Sequence, residues 1–569
     1  MTKGEINNSS TKGSIYSQKK IVYGLEYSVD GYVGGLVGLL KNGDINNSNS
    51  EMNINSNSNY VGGLAGILTN NSRIIGISSS GNIEGINNIG GLAGSIENNS
   101  LIMNSHNSGS VQGWKEVGGL TGQMKFDGSI ISSYNLGNIL GVSKVDEYGA
   151  NFGSRNIGGL VGYMSEGNLS IENSYNNSNV YSKDSAFTGG LIGRLGEAGN
   201  YNIINSYAEG DIKAINEFDN FNTATGGLIG GVSGYSLINP LSINIKNSYN
   251  LSSVQGNNQT GGLVGAIGLD FWSGSSNIGI SITNSFNKGV VIGGASAGGL
   301  VGYASSDLIF INNSHNLNNV VGSEFVGGLI GFSKNVKIND SYNNGHVTGV
   351  NYIGGVLGGS DGSEVHRSFN KGNINGEKNI GGLIGESSST TLYGSHNDGD
   401  VNGTFIVGGM IGAGHNYSKI NSSYNSGNVK GEKDVGGLIG LISNASSINN
   451  SYNKSNVIGV SDVGGLIGNI LPLSTSYITN SYNVGLVDGV DNAGGLIGLS
   501  GGAQIINSYW NTETSGQLTS AGGIGKTTAE LQKIMTFAGW NIADVSDLTS
   551  NSIWVIDENN KTPWLRYNH

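Results

Sequence analysis

The chain has 569 residues, with 99 glycines, three prolines, no cysteine and a net charge of −12. Only 12 % of residues are charged and no basic cluster stands out, which excludes nucleic acid as a partner because phosphate binding needs concentrated Lys and Arg. Disulfides and thiolate-bound metals are excluded, and no apolar run reaches the roughly 18–20 residues of a membrane span.

Residues 1–22 are polar and weakly patterned, and read as a lead into a repeat region. They hold no apolar stretch able to act as a signal peptide, so the export signal is expected elsewhere and the chain is expected to be part of a larger protein.

From 23 to 509 one unit recurs. Gly-Gly, an apolar residue, a small or apolar residue, then Gly begins at Gly34, Gly62, Gly90, Gly118, Gly158, Gly189, Gly226, Gly261, Gly298, Gly327, Gly354, Gly381, Gly408, Gly436, Gly464 and Gly494. The first four starts are 28 apart, those from Gly327 onward 27 to 30 apart, and the middle ones 29 to 40 apart. A fixed period in this range means one supersecondary unit stacked on copies of itself. A second word, Asn-Ser-aromatic-Asn, precedes most copies, and from Tyr249 onward its ring lies 12 residues before the next Gly-Gly.

Helical solenoids need windows of about ten or more residues with apolar positions at i, i+3 and i+4, and Gly or Asn interrupts every such window here. The apolar runs are short, rich in Val and Ile, and bounded by Gly, Asn, Ser or Asp, which are strand signals. The expected fold is all-β: a parallel β-solenoid of about 16–17 coils with a small mixed α/β C-terminal cap. Each strand would pair with its equivalents one coil away at about 4.8 Å. Leu and Ile of the glycine word and Val of the Gly-x-Val-x-Gly run would fill a thin core. The paired glycines would turn a corner where any Cβ strikes the next coil. Asn would occupy left-handed turn positions and form hydrogen-bonded ladders, and the Tyr, Phe and His of the second word would stack as a column.

Extra residues fall in 141–156, 211–224, 231–244 and 269–279. Loops that bulge from a solenoid are where binding concentrates. Two of them carry aromatics in polar surroundings, Phe218 and Phe221 in one and Phe271 and Trp272 in the other. These four are the candidate ligand-binding residues, as sugar-stacking platforms or protein contacts. The alternative is that they fold back to cover the solenoid flank.

Residues 510–569 change character, with four of the six tryptophans: Trp510, Trp540, Trp554 and Trp564. Thr527-Thr-Ala-Glu530 fits a capping box opening a short helix. A compact aromatic segment here would protect the open edge of the last coil.

The Gly-Gly-Leu-Ile-Gly word with its Asn-Ser-Tyr-Asn partner resembles the GLUG repeat, from about Gly34 to Gly498, and Ser508-Tyr-Trp-Asn511 onward resembles the segment that closes such arrays. That family includes bacterial surface adhesins of the filamentous-haemagglutinin type and the non-catalytic regions of immunoglobulin-A-cleaving metallopeptidases. The resemblance implies export and surface display, at the bacterial cell surface or outside it, and supplies no ligand.

The chemical motifs are weak. Gly523-Ile-Gly-Lys-Thr527 lacks the first P-loop glycine, since Ser520 stands there, and reads instead as a seventeenth Gly-Gly corner. None of the seven histidines is followed by Glu, so no His-Glu-x-x-His zinc site exists. His346 and His366 read as neighbours in one coil without acidic companions. Acidic residues such as Asp340, Asp361, Asp398, Asp400, Asp434 and Asp462 hold different repeat positions rather than one catalytic face. The expectation is a non-enzymatic extracellular protein without catalytic residues, cofactor or metal, an adhesin or stalk meeting a host glycan or surface protein through the mid-chain insertions. A pure spacer for a separate head is the alternative, and a glycan-active β-helix enzyme the third reading.

Overall fold

The computed structural model describes residues 3–17, 20–22, 25–27, 29–145, 151–215, 223–234, 241–268, 278–547 and 549–566. They form two compact units, Met1–Asn318 and Asn319–His569, and nearly all regular structure in both is parallel β. The expected β-solenoid is present in each, with nine copies of the glycine word in the first unit and seven in the second.

One coil of the second unit shows why the sequence folds this way. Lys378–Gly381 forms the first face, Ile384–Ser388 and Thr391–Tyr393 the second, and His396–Asn397 and Val401–Asn402 the third. Each pairs in parallel with its equivalent one repeat later: Gly381 with Gly408, Ile384 with Ile411, His396 with Tyr424 and Val401 with Val429. Ile380, Leu383, Ile384, Leu392 and Val401 point inward and are wholly buried. Alternation within strands of two to five residues thus fills a thin core whose walls are the three faces.

The glycine word makes the corner between the first two faces. The Leu383 and Ile384 N–H groups both donate to the Met410 carbonyl of the next coil, at 2.9 and 2.8 Å. A Cβ on Gly382 would stand 2.1 Å from the Gly409 oxygen and 2.4 Å from Asn397 Cγ. The corner therefore closes only without side chains.

Each letter of Asn-Ser-aromatic-Asn has its own ladder. The first Asn takes the left-handed conformation, with φ of 50° at Asn104 and Asn205 and 49° at Asn450. The Ser N–H donates to the Ser hydroxyl one coil on, as from Ser368 to Ser395 at 3.2 Å and from Ser395 to Ser423 at 3.1 Å. The second Asn donates to its equivalent, as in Asn343 to Asn370 and Asn370 to Asn397, both at 2.8 Å. The rings stack face to face from His106 to His315 in the first unit, with centroids 4.8–5.3 Å apart. In the second unit the column runs from Tyr342 to Tyr482. Parallel in-register strands hold identical side chains one strand spacing apart, which is the geometry such ladders require.

The first unit begins earlier than the polar lead suggested. Gly4–Asn7 pairs with Gly43–Asn46, and Ser10–Tyr16 pairs with Asn49–Ser56 over seven consecutive residues. Polar residues serve there because both pairings expose one side.

The segment after residue 509 departs from expectation in two ways. Gly522-Gly523 is not the seventeenth corner: the Gly495 N–H donates to the Thr519 carbonyl, the position that Gly494 fills for Gly465. The chain then cuts across, and Ile524–Lys526 pairs with Tyr509–Asn511. The cap also packs along the ladder flank rather than only over the end. After the helix Thr528–Leu531, with its capping box between Thr527 and Glu530, a 3-10 turn at Ile534–Phe537 and a three-stranded sheet lead back. Leu531, Phe537, Trp540, Trp554, Ile556 and Leu565 bury Tyr452, Tyr482 and Tyr509.

Candidate functional site

Phe218, Phe221, Phe271 and Trp272 lie outside the described residues, but the roots of their insertions are placed. Insertions 141–156 and 211–224 leave the first unit at one corner, between the third face and the first. The former runs from Ile139–Gly141 to Arg155–Gly158 and the latter from Ile212–Ile215 to Ala224–Gly226. Insertions 231–244 and 269–279 leave at another, within the second face, between Ile229–Ser233 and Leu241–Lys246 and between Val264–Ile267 and Ile278–Thr283. These last two belong to consecutive coils, with Ile229 paired to Val264 and Leu241 to Ile278. Their roots are therefore one strand spacing apart.

The coils keep their register on both sides of every insertion. Ile212 pairs with Val254 and Ala224 with Gln259 around 211–224. At the base of 141–156 a two-stranded antiparallel hairpin joins Lys144–Val145 to Asn151–Phe152. Trp114 Nε1 donates to the Phe152 and Gly153 carbonyls at 3.1 and 3.0 Å, and the Lys144 ammonium lies 5.5 Å over its ring.

A cluster that the sequence did not single out stands beside the third insertion. The Arg194 guanidinium lies 5.5 Å from the Tyr163 ring and 5.3 Å from the Phe187 ring. Its Nε donates to Ser233 Oγ at 2.9 Å, on the last residue of the strand before the insertion. The Tyr163 hydroxyl donates to Glu197 at 3.5 Å, and burial pushes its pKa up to about 12. Glu166 hydrogen-bonds Glu197 and is partly buried, and both raise its pKa above the ordinary carboxylate value. A partly buried cation between two rings, beside two carboxylates, is recognition chemistry: the guanidinium is held in place by the rings and Ser233. The only sequence signal was that Tyr163 and Arg194 follow their glycine words by one residue.

The ladder histidines are ring substitutes. His106 stacks on Tyr134 at 4.8 Å, His315 on Phe286 at 5.3 Å, and His396 lies between Phe369 and Tyr424 at 5.0 and 4.9 Å. Burial holds the pKa of each below the ordinary imidazole value, with Asp398 partly opposing this at His396. His346 and His366 sit on different faces of consecutive coils, not in one coil. His366 also has an acidic companion, Glu364, at 3.6 Å.

Asp434 and Asp462 come closest to a carboxylate dyad. Contrary to the sequence expectation of different repeat positions, they occupy equivalent positions in adjacent coils, and both are buried. Asn469 donates to Asp434 at 2.9 Å and Asn492 to Asp462 at 2.7 Å, and burial raises the Asp434 pKa. Glycosidic carboxylates stand about 5–10 Å apart around a reacting bond, whereas each carboxylate of this pair is buried and takes a hydrogen bond from an Asn side chain. Among the described residues no three His, Asp or Glu side chains form a metal-ligating group, and no helix is long and apolar enough to cross a membrane.

No family model matches the chain, and neither the curated proteins nor the solved structures contain a match.

Proposed function

We propose that this chain is a non-enzymatic, surface-displayed repeat protein of the GLUG type, an extracellular adhesin that meets a host glycan or surface protein through the insertions of its first unit. The observation that carries this reading is that the insertions emerge at two corners while strand register continues undisturbed on either side. At each of these insertions sequence has been added where a loop leaves the stack and the flanking strands keep their pairing. Consecutive roots at 231–244 and 269–279 would present two loops side by side, and the Arg194 cluster beside them adds a charged aromatic surface.

A spacer for a separate head is the second reading. The unbroken Ser, Asn and ring ladders of the second unit favour it, because they devote most of each repeat to axial cohesion.

The test is binding of the purified chain to epithelial cells and a glycan array, beside a variant in which residues 216–222 and 269–277 are replaced by short Gly-Ser links. These limits spare the paired strands. Loss of binding with an unchanged circular dichroism spectrum supports the adhesin. Binding that survives the double replacement removes these two insertions and their aromatics Phe218, Phe221, Phe271 and Trp272 from the reading, and a folded chain that binds nothing leaves the spacer.

A further inference from the structure

The end of the ring column and the cap together form a cleft in the second unit. Tyr424, Tyr452 and Tyr482 make one wall, Lys561, Thr562, Pro563 and Trp564 the other, and Lys454 and Val484 complete the lining, around about 310 Å³. That is the low end of small-ligand sites, roughly 300–1,000 Å³, and suits one sugar ring rather than a peptide.

The walls are pinned. The Tyr482 hydroxyl donates to the Pro563 carbonyl, and Trp554 Nε1 donates to Asn450 Oδ1 at 3.2 Å. The Trp554 ring lies 5.8 Å from both Tyr452 and Tyr482. A cleft held this way needs little ordering when a ligand enters.

Its chemistry is amphipathic and positive. The Lys454 ammonium lies 5.2 Å over Tyr424 and the Lys561 ammonium 5.9 Å over Trp564, and among the described residues neither makes an ion pair within 4.0 Å. No carboxylate is among the described residues lining the cleft. Burial pushes the Tyr424 phenol up to about 12, so it stays protonated and able to donate. The ladder rings show only their edges, since their faces cover one another, and Trp564 supplies the cap side of the cleft. An apolar ring face, hydroxyl donors and two cations match a pyranose bearing a carboxylate.

We propose that this cleft binds a carboxylated pyranose, a sialic acid or hexuronate residue, with its carboxylate held by Lys454 and Lys561 and its ring against Trp564. The site is separate from the insertions of the first unit, so either can fail without the other.

Isothermal titration of the full chain tests it, with N-acetylneuraminic acid and glucuronic acid against galactose and benzoate. The expected result is millimolar or tighter binding of at least one acidic sugar, with galactose and benzoate at least about tenfold weaker. The double variant K454Q/K561Q should lose about tenfold or more in affinity while its thermal midpoint stays put, because both side chains are exposed. W564A should weaken binding as well, and W564F should restore it. The proposal is overturned if no acidic sugar binds at about 20 mM, if galactose or benzoate binds as tightly, or if K454Q/K561Q binds unchanged.

Discussion

Asn397 Nδ2 donates to Asn425 Oδ1 at 2.8 Å one coil away, and to the Gly399 carbonyl of its own turn at 2.8 Å. One wholly buried side chain thus ties a turn to itself and a coil to its neighbour. Replacing it by Ala leaves the Gly399 carbonyl and Asn425 Oδ1 without this donor and Asn370 Nδ2 without this acceptor. Asn397→Ala is expected to cost about 2–3 kcal/mol, read from chemical denaturation of the second unit.

The same ladder is interrupted once in the first unit, where Ala208 stands between Asn176 and Asn250. The tip of Ile212 fills the space: a Cβ on Gly190 would lie 2.7 Å from Ile212 Cδ1 and from Ala208 Cβ. Restoring the rung requires that tip to leave. Ala208→Asn combined with Ile212→Val is expected to stabilise by about 1 kcal/mol, and Ala208→Asn alone to be neutral or destabilising. A double-mutant cycle by thermal unfolding checks both signs.

Glycines in the repeat are not equivalent. Gly382→Ala drives a methyl into the Gly409 oxygen and is expected to cost on the order of 3 kcal/mol or to abolish folding. At Gly414 the nearest atoms are 3.8 Å away, so Gly414→Ala is expected to be neutral or to stabilise by about 0.5 kcal/mol through the unfolded chain.

The ladder histidines give stability a pH dependence. Burial lowers the folded pKa of His106, His315 and His396, so the unfolded chain takes up those protons first. Their contribution is complete above the unfolded value of about 6.5, is lost as pH falls through it, and levels off below the folded values. His396→Tyr keeps the stack and removes the titration. Its unfolding free energy between pH 7 and 5 should fall less steeply than that of the parent.

Trp554 joins the cap to the column. It is wholly buried against Tyr452, Tyr482 and Trp540. Trp554→Ala is expected to cost about 3–5 kcal/mol, and Trp554→Phe about 1–2 kcal/mol through the lost bond to Asn450. Near-ultraviolet circular dichroism and sedimentation would show a loosened cap, and the newly exposed column edge predicts association of Trp554→Ala at high concentration.

The repeat made the solenoid legible in the sequence alone. When each strand pairs with its own copy, one repeat's pattern is tested sixteen times along the chain, and chance matches do not survive that. The glycine corner, the turn Asn, the ring column and the Asn ladder follow from residue type plus period. Ser395 and its relatives were readable on the same ground, but serine is common in turns and its ladder looked like background.

What only the tertiary structure decided lies where the period fails. Thr519 takes the corner position because the chain after Trp510 shortens its last turn to reach the ladder flank, a choice set by Tyr452, Tyr482 and Tyr509 needing cover. Arg194 meets Phe187 of its own coil, and Tyr163 and Ser233 through pairings with coils 31 and 37 residues away, a spacing that the insertions control. The amino-acid order by itself determined which residues face inward and which stack, because those are local and repeated. It left open what the non-repeating parts lean on, because their partners are distant and occur once.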